Sequence, residues 1–339
     1  MGFGMSAVTS GPRLGLTMMS FAREIYLSVW DLEESLRRAG HLGPGTALEL
    51  TGAQSLPGYP ALLPEVERTV RRGIDAYGLV PACYDAYTER GRRYGRTANL
   101  AETAELIQSE LAIAHRLGFP MLRLNDAAPD LLAAILPTAE RLGIRVVIEL
   151  HAKPIRHPDS ARLAEYFDAV QSPCLGFLQD LGAMMQAVPR SYLQWGRRSG
   201  RPAAIVEAVE QGWNAAVPLP DTLQDVSRLG GSGADRDWAY AAYVMFHRNP
   251  VADLEFVMPF LAHLHGKFFG IDAAGAEPAI DYPAVVAALR REGYGGVISS
   301  EYISWAPAGA LDSFDQVAAH HRMLRTMWEA AGAEEPWTG

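Results

Sequence analysis

The feature that most constrains this chain is an alternation. Short apolar runs give way to longer segments with three- and four-residue apolar spacing, and the cycle repeats about eight times. Strands are predicted at Leu14–Ser20, Ala47–Thr51, Leu79–Tyr84, Met121–Leu124, Val146–Leu150, Leu175–Asp180, Leu261–His265 and Gly296–Glu301. Helices are predicted over 28–39, 60–77, 99–117, 129–142, 159–170, 281–291 and 310–330, several of them stopped by a glycine. Strand starts fall roughly 25–40 residues apart, the length of one βα unit. Such alternation implies a parallel sheet with its helices outside, because each crossover must return over a face of the sheet. Eight units, and no Gly-x-Gly-x-x-Gly after the first strand, favour a closed (β/α)8 TIM barrel over a doubly wound sheet. The whole chain, 1–339, reads as one such domain.

One interval breaks the rhythm. About 80 residues separate Asp180 from His263, where a single helix would suffice. The segment 184–258 therefore reads as a long insertion after strand six, on the face where barrel enzymes carry their chemistry. It holds Tyr192, Trp195, Trp213, Trp238, Tyr240, Tyr243 and Phe246. Either a lid that packs on substrate or a subunit contact would use that aromatic surface.

The strand ends carry the chemistry. Val146-Val147-Ile148 runs into Glu149, then Leu150 and His151, although an unpaired buried charge is costly. Three later strands run into Asp180, His265 and Glu301 in the same way. Three carboxylates and one imidazole, delivered from strands five to eight, make a hard-to-borderline metal site. Mn²⁺ is the first expectation, with Mg²⁺, Co²⁺ or Zn²⁺ as alternatives. Period-two alternation puts His151 on the same side as Glu149, where a neutral imidazole would serve as base. Lys153, Lys267, His263 and Asn125 are candidate substrate contacts, with His263 alternatively a support for His265.

With 49% hydrophobic and 20% charged residues, the composition is that of a globular protein. A net charge of −9 tilts against nucleic acid, whose phosphates call for a basic surface. Cys83 and Cys174 lie far apart in apolar runs and read as free thiols. No run approaches 18 apolar residues and no secretory leader is recognised, so a soluble, cytoplasmic protein without a membrane partner is expected.

Glu149 in Ile-Glu-Leu-His, Asp180 in Phe-Leu-Gln-Asp-Leu-Gly, His265 in His-Leu-His-Gly-Lys and Glu301 in Ile-Ser-Ser-Glu-Tyr together resemble the xylose isomerase-like superfamily of TIM barrels. That group includes sugar isomerases, epimerases, dehydratases and endonuclease IV. The resemblance covers Leu14 to about Trp328, apart from the insertion. It implies one divalent metal at the four positions, two glutamates able to move a proton beside a carbonyl, and Lys267 at a position where lysine is common. Two departures bear on the substrate. Ketohexose 3-epimerases carry a histidine where this chain has Ala183, and a substrate-binding arginine where it has Ile271. Ala183 also removes a ligand of the three-zinc endonuclease site, which speaks against DNA repair. The catalytic subunits of bacterial C-glycoside deglycosidases are similar in length and metal set. That branch implies β-elimination from a 3-oxo-glycoside, a flat aglycone against the insertion, and a small second subunit. A homo-oligomer is the other assembly in view. The contrasting expectation is a catalytically inactive barrel that binds sugar or a partner protein.

Overall fold

The computed structural model describes residues 11–88, 92–93, 96–151, 154–305 and 313–333. Eight parallel strands close into a barrel: β1 (Arg13–Thr17), β2 (Ala47–Thr51), β3 (Val80–Ala86), β4 (Met121–Leu124), β5 (Arg145–Leu150), β6 (Leu175–Asp180), β7 (Leu261–Phe268) and β8 (Val297–Tyr302). They follow one another around the ring in chain order, and β8 closes on β1 through Arg13↔Val297 to Leu16↔Ser300. This is the expected (β/α)8 barrel. β2, β4 and β6 have the boundaries read from the sequence.

Strand parity divides the barrel into two compartments. On β5, Val146, Ile148 and Leu150 belong to the main core between strands and helices, whereas Val147 packs in a separate small cluster. That cluster joins Val147 to Cys83 and Leu178, with Met121 and Ala262 against it, so β3 to β7 each supply one apolar side chain to a plug in the lumen. Two residues further along β5, parity brings Glu149 to the same inner side. The lumen is therefore apolar below and polar above. Removing one plug residue, as in Leu178→Ala, would cost about 2–5 kcal/mol.

The helices begin and end where their caps dictate. The helix expected over 28–39 starts at Leu32, because the Asp31 carboxylate accepts the Glu34 N–H at 2.8 Å and caps it there. Ser28, with φ of 55°, lies before that start. The helix expected from 60 starts at Pro64 in its first turn, after extended Leu63. Asn99 and Glu102 form a reciprocal capping box for Leu100–Leu117, and Gly118 at φ 84° ends it in the left-handed conformation that glycine adopts without strain. Among the described residues, no helix is long and apolar enough to cross a membrane. Cys83 is buried and Cys174 partly so, and both are free thiols.

The segment between β6 and β7 is built on four longer helices, Arg190–Arg198, Ala203–Asn214, Leu219–Arg228 and Gly233–Met245, with single helical turns at its two ends. Most of its aromatic residues build its own core. Tyr192 stacks on Trp238 at 4.9 Å and donates its hydroxyl to the Trp238 carbonyl at 2.7 Å; Trp213 and Phe246 are buried as well. The segment is tied to the barrel at its end. Asn249 Nδ2 donates to the Ala183 carbonyl at 2.6 Å, Asn249 Oδ1 accepts the Ile155 N–H at 3.2 Å, and Arg198 donates to the Trp305 carbonyl at 2.8 Å.

Candidate active site

Glu149, Asp180, His265 and Glu301 converge from β5, β6, β7 and β8, all buried, each offering a ligand atom within 4.8 Å of the others. The register sets Asp180 opposite His265 and Glu301 opposite Lys267, two residues beyond His265, so neighbouring strands deliver the donors near their C-terminal ends. His265 Nδ1 lies 3.0 Å from Glu149 Oε1 and 3.1 Å from Glu301 Oε2. Asp180 Oδ1 accepts the Gly182 N–H at 2.7 Å, which orients the carboxylate and leaves Oδ2 facing inward. The Lys267 ammonium lies 3.1 Å from Asp180 Oδ2 and 2.8 Å from Glu301 Oε1.

Beneath this group lies a layer that pairs across the barrel. Glu49, on β2, is fully buried between two imidazoles: His265 Nε2 at 2.5 Å from Oε1 and His263 Nε2 at 2.6 Å from Oε2. His263 Nε2 also lies 3.0 Å from the Ser299 hydroxyl. Arg123, on β4, is buried with Nη1 3.5 Å from Glu149 Oε2 and Nε 3.3 Å from Asp85 Oδ1, beneath the Tyr87 ring at 5.0 Å. Asp85 accepts the Thr51 hydroxyl at 2.8 Å.

The electrostatics follow from burial set against neighbours. Burial pushes the Glu301 carboxyl up, but Lys267 and His265 overcome it and hold the group at about 2. Burial opposes ionisation of Glu149 as well, and Arg123 and His265 hold it well down. Asp180 goes the other way: burial raises it, and Glu301 and Glu149 outweigh part of what Lys267 restores. His265 is raised by Glu49 and Glu301 against its burial. Five carboxylates (Glu49, Asp85, Glu149, Asp180, Glu301) face three cationic groups (Arg123, Lys267 and the His265 ring). The donor set fits a divalent cation on two counts. Such an ion takes the place of the His265 proton and offsets the excess negative charge: with Nε2–H given to Glu49, neutral His265 turns a lone pair toward Glu149 and Glu301. A lone pair facing two carboxylates is repulsive unless a proton or a cation lies between them.

The other residues singled out in the sequence fall at different depths. His151 sits at the rim, 40% exposed, with Nδ1 3.4 Å from Glu149 Oε2. Asn125 and Asp126 share a cavity of about 250 Å³ with Glu149 and His151, and Asn125 Oδ1 accepts both the N–H and the hydroxyl of Thr88. His263 is fully buried, with Nε2 against Glu49 and Ser299, where its alternative role as a support of the His265 layer would place it. Lys153 lies outside the described residues. Glu49, Asp85 and Arg123 were missed. Only the acid in the apolar run Ala47-Leu48-Glu49-Leu50 offered a signal for them.

Above the cluster opens a cavity of about 340 Å³ lined by His151, Asp180 and Lys267 on its polar side. Phe246, Phe269 and Trp305 make the opposite wall, with Phe269 and Trp305 stacked at 5.7 Å and Phe246 edge-on to both. His247 joins the lining from the end of the insertion.

A family model described as xylose isomerase-like TIM barrel matches residues 36–326. Among curated proteins, the chain is 32% identical over 338 residues to a 3'-dehydrocarminate deglycosidase alpha subunit of a Microbacterium species, covering 95% of this chain and 97% of that one. It is 31% identical over 338 residues to a C-glycoside deglycosidase alpha subunit of Arthrobacter globiformis, covering 95% and 92%. A solved structure of L-ribulose 3-epimerase superposes with a TM-score of 0.56 over 95% of this chain and 96% of that one, at 13% identity, a likeness of fold alone.

Proposed function

The chain belongs to the xylose isomerase-like TIM-barrel family, and on that premise we propose that it is a divalent-metal-dependent enzyme that eliminates the aglycone from a 3-oxo-glycoside. What carries the reading is the pairing of the Glu149–Asp180–His265–Glu301 cluster with His151, 3.4 Å from Glu149, beneath a cavity with an aromatic wall. The two curated relatives are named deglycosidase alpha subunits, and elimination from a keto-sugar is chemistry this geometry suits.

A divalent cation on the four ligands would draw charge from a bound carbonyl oxygen and acidify the neighbouring C–H. The protein's own groups do the remainder. His151 takes the proton from the carbon beside the keto group, and Glu149 orients its ring and stabilises the charge it gains. Lys267, between Asp180 and Glu301, presents an ammonium to the sugar oxygens that face the cluster. Phe246, Phe269 and Trp305 receive the flat aglycone and keep water from the newly formed enone. Ala183 and Ile271, where ketohexose epimerases carry histidine and arginine, favour elimination over epimerisation of a free ketose. The insertion acts as the fourth wall of the site, and a small second subunit completes the assembly, as the alpha-subunit names of the relatives suggest.

The test is metal analysis of the purified protein beside Asp180→Ala, followed by assay on 3-oxo-glycosides and free ketoses. About one Mn²⁺, Co²⁺ or Zn²⁺ per chain, lost in the variant, with turnover of the 3-oxo-glycoside alone, supports the reading. A metal-free protein that no divalent ion stabilises removes it, and turnover of ketoses alone replaces the lyase with an epimerase.

A further inference from the structure

Elimination needs two proton transfers: one from the sugar carbon, the other to the atom that leaves. The cluster and His151 account for the first. On the same cavity stands a second imidazole, His247, which belongs to the insertion rather than to the barrel. Its backbone is fixed on both sides. The His247 carbonyl accepts the Met185 N–H at 2.9 Å, Arg248 forms a β-bridge with Met184, and Asn249 is bonded to Ala183 and Ile155. The insertion is thus held to the end of β6 at the point where it delivers the ring. A loop anchored by so many bonds is a positioning device, since nothing in the packing of the four helices calls for a histidine there.

The ring itself is half buried and lies near the Val244 backbone. An imidazole that gives one N–H to a neighbouring carbonyl keeps its second nitrogen for a bound molecule. Val244, Met245, Phe246 and His247 line the cavity together with Asp180 and Lys267, so the ring stands beside Phe246, one of the residues that would receive the aglycone. Burial and the nearby His151 both lower the hold of His247 on a proton, while Asp180 and the Val244 carbonyl raise it. The net effect is a weakened hold, which makes the charged ring a stronger acid toward a departing group.

We infer that His247 is the general acid that protonates the departing aglycone, an assignment that rests on the elimination proposed above. His151 removes the proton from the sugar carbon beside the carbonyl, and that electron pair forms the new C=C bond. The bond from the anomeric carbon to the aglycone breaks, its electron pair stays on the aglycone atom, and that atom takes the proton of the His247 imidazolium. The products are an enone sugar and the protonated aglycone. Water restores both histidines to their starting states, so no oxidant or further reactant enters.

The experiment compares wild type with His247→Gln on two 3-oxo-glucosides, one with a phenyl C- or O-linked aglycone of poor leaving ability and one with a p-nitrophenolate, which departs without a proton. Exchange of the sugar proton beside the carbonyl in D₂O is followed by NMR in the same samples. The variant is expected to lose about 10²- to 10⁴-fold on the poor leaving group, to stay within a few-fold of wild type on p-nitrophenolate, and to keep proton exchange. Equal losses on both substrates, or none on either, overturn the assignment while the elimination stands. A wild-type protein that eliminates neither aglycone and exchanges no proton overturns the lyase reading, and the assignment with it.

Discussion

His265 turns its two ring nitrogens to different tasks: Nε2 lies 2.5 Å from Glu49, and Nδ1 faces Glu149 at 3.0 Å and Glu301 at 3.1 Å. The carboxylate beneath fixes the ring, so that when the imidazole is neutral its lone pair points into the cluster. Glu49→Gln breaks this, because an amide offers one acceptor where two imidazoles each present an N–H. The variant should bind Mn²⁺ about 10- to 100-fold more weakly, as read by isothermal titration of chelator-treated protein. Unchanged affinity would relegate Glu49 to a purely structural ion pair.

His151 is 40% exposed, and it approaches Glu149 from the rim without entering the ligand set. His151→Ala should therefore depress kcat by about 10²- to 10⁴-fold with metal content near that of wild type. Loss of the metal in this variant would make His151 a ligand or the support of one.

The barrel and the upper layer of the site were legible in the sequence for one physical reason. A buried strand has no cause of its own to end in a charge, so Glu149, Asp180, His265 and Glu301 announced themselves by position. The lower layer did not. Glu49 meets His265 across the ring at a separation of 216 residues, and Asp85 and Arg123 pair with each other and with Thr51 and Glu149 on the neighbouring strands, so each is explained by a partner far away in sequence. Apart from the apolar run around Glu49, nothing local distinguishes such residues from strand residues facing solvent. The insertion was legible as an excess of length, but its aromatic residues went mostly into its own core, because four helices away from the barrel must bury something against one another. Helix starts slipped by four residues where Asp31 and Pro64 set the cap rather than the hydrophobic period.

Lys267 supplies the nearest positive charge to both Asp180 and Glu301. In Lys267→Met, metal-free, those carboxylates lose their partner in a buried setting, which costs on the order of 3–5 kcal/mol. Urea unfolding should show that loss without metal and recover most of it with saturating Mn²⁺. A variant as stable as wild type in the presence of chelator would mean that Asp180 simply takes up a proton in place of the ammonium.

Away from the site, His321 gives the fold an acid-sensitive point. It is buried on the last helix, Ser313–Ala333, and donates Nε2–H to the Gly15 carbonyl of β1 at 2.9 Å, pinning helix to barrel. Burial, with a further push from Arg325, lowers the ring from its ordinary 6.5 to about 4, although the Gly15 bond favours the proton. The folded protein thus keeps the ring neutral where the unfolded chain would charge it. The stability this contributes is fully present above pH 6.5 and is lost as the pH falls toward 4. Between pH 7 and pH 5 the loss comes to about 2 kcal/mol. His321→Gln keeps an amide N–H for Gly15 and has nothing to titrate, so its urea-unfolding free energy should fall by about 2 kcal/mol less than that of wild type over the same interval. His320, buried beside it and also held low, keeps its own share, so the drop shrinks without vanishing. An identical drop in the two proteins would place the acid sensitivity elsewhere.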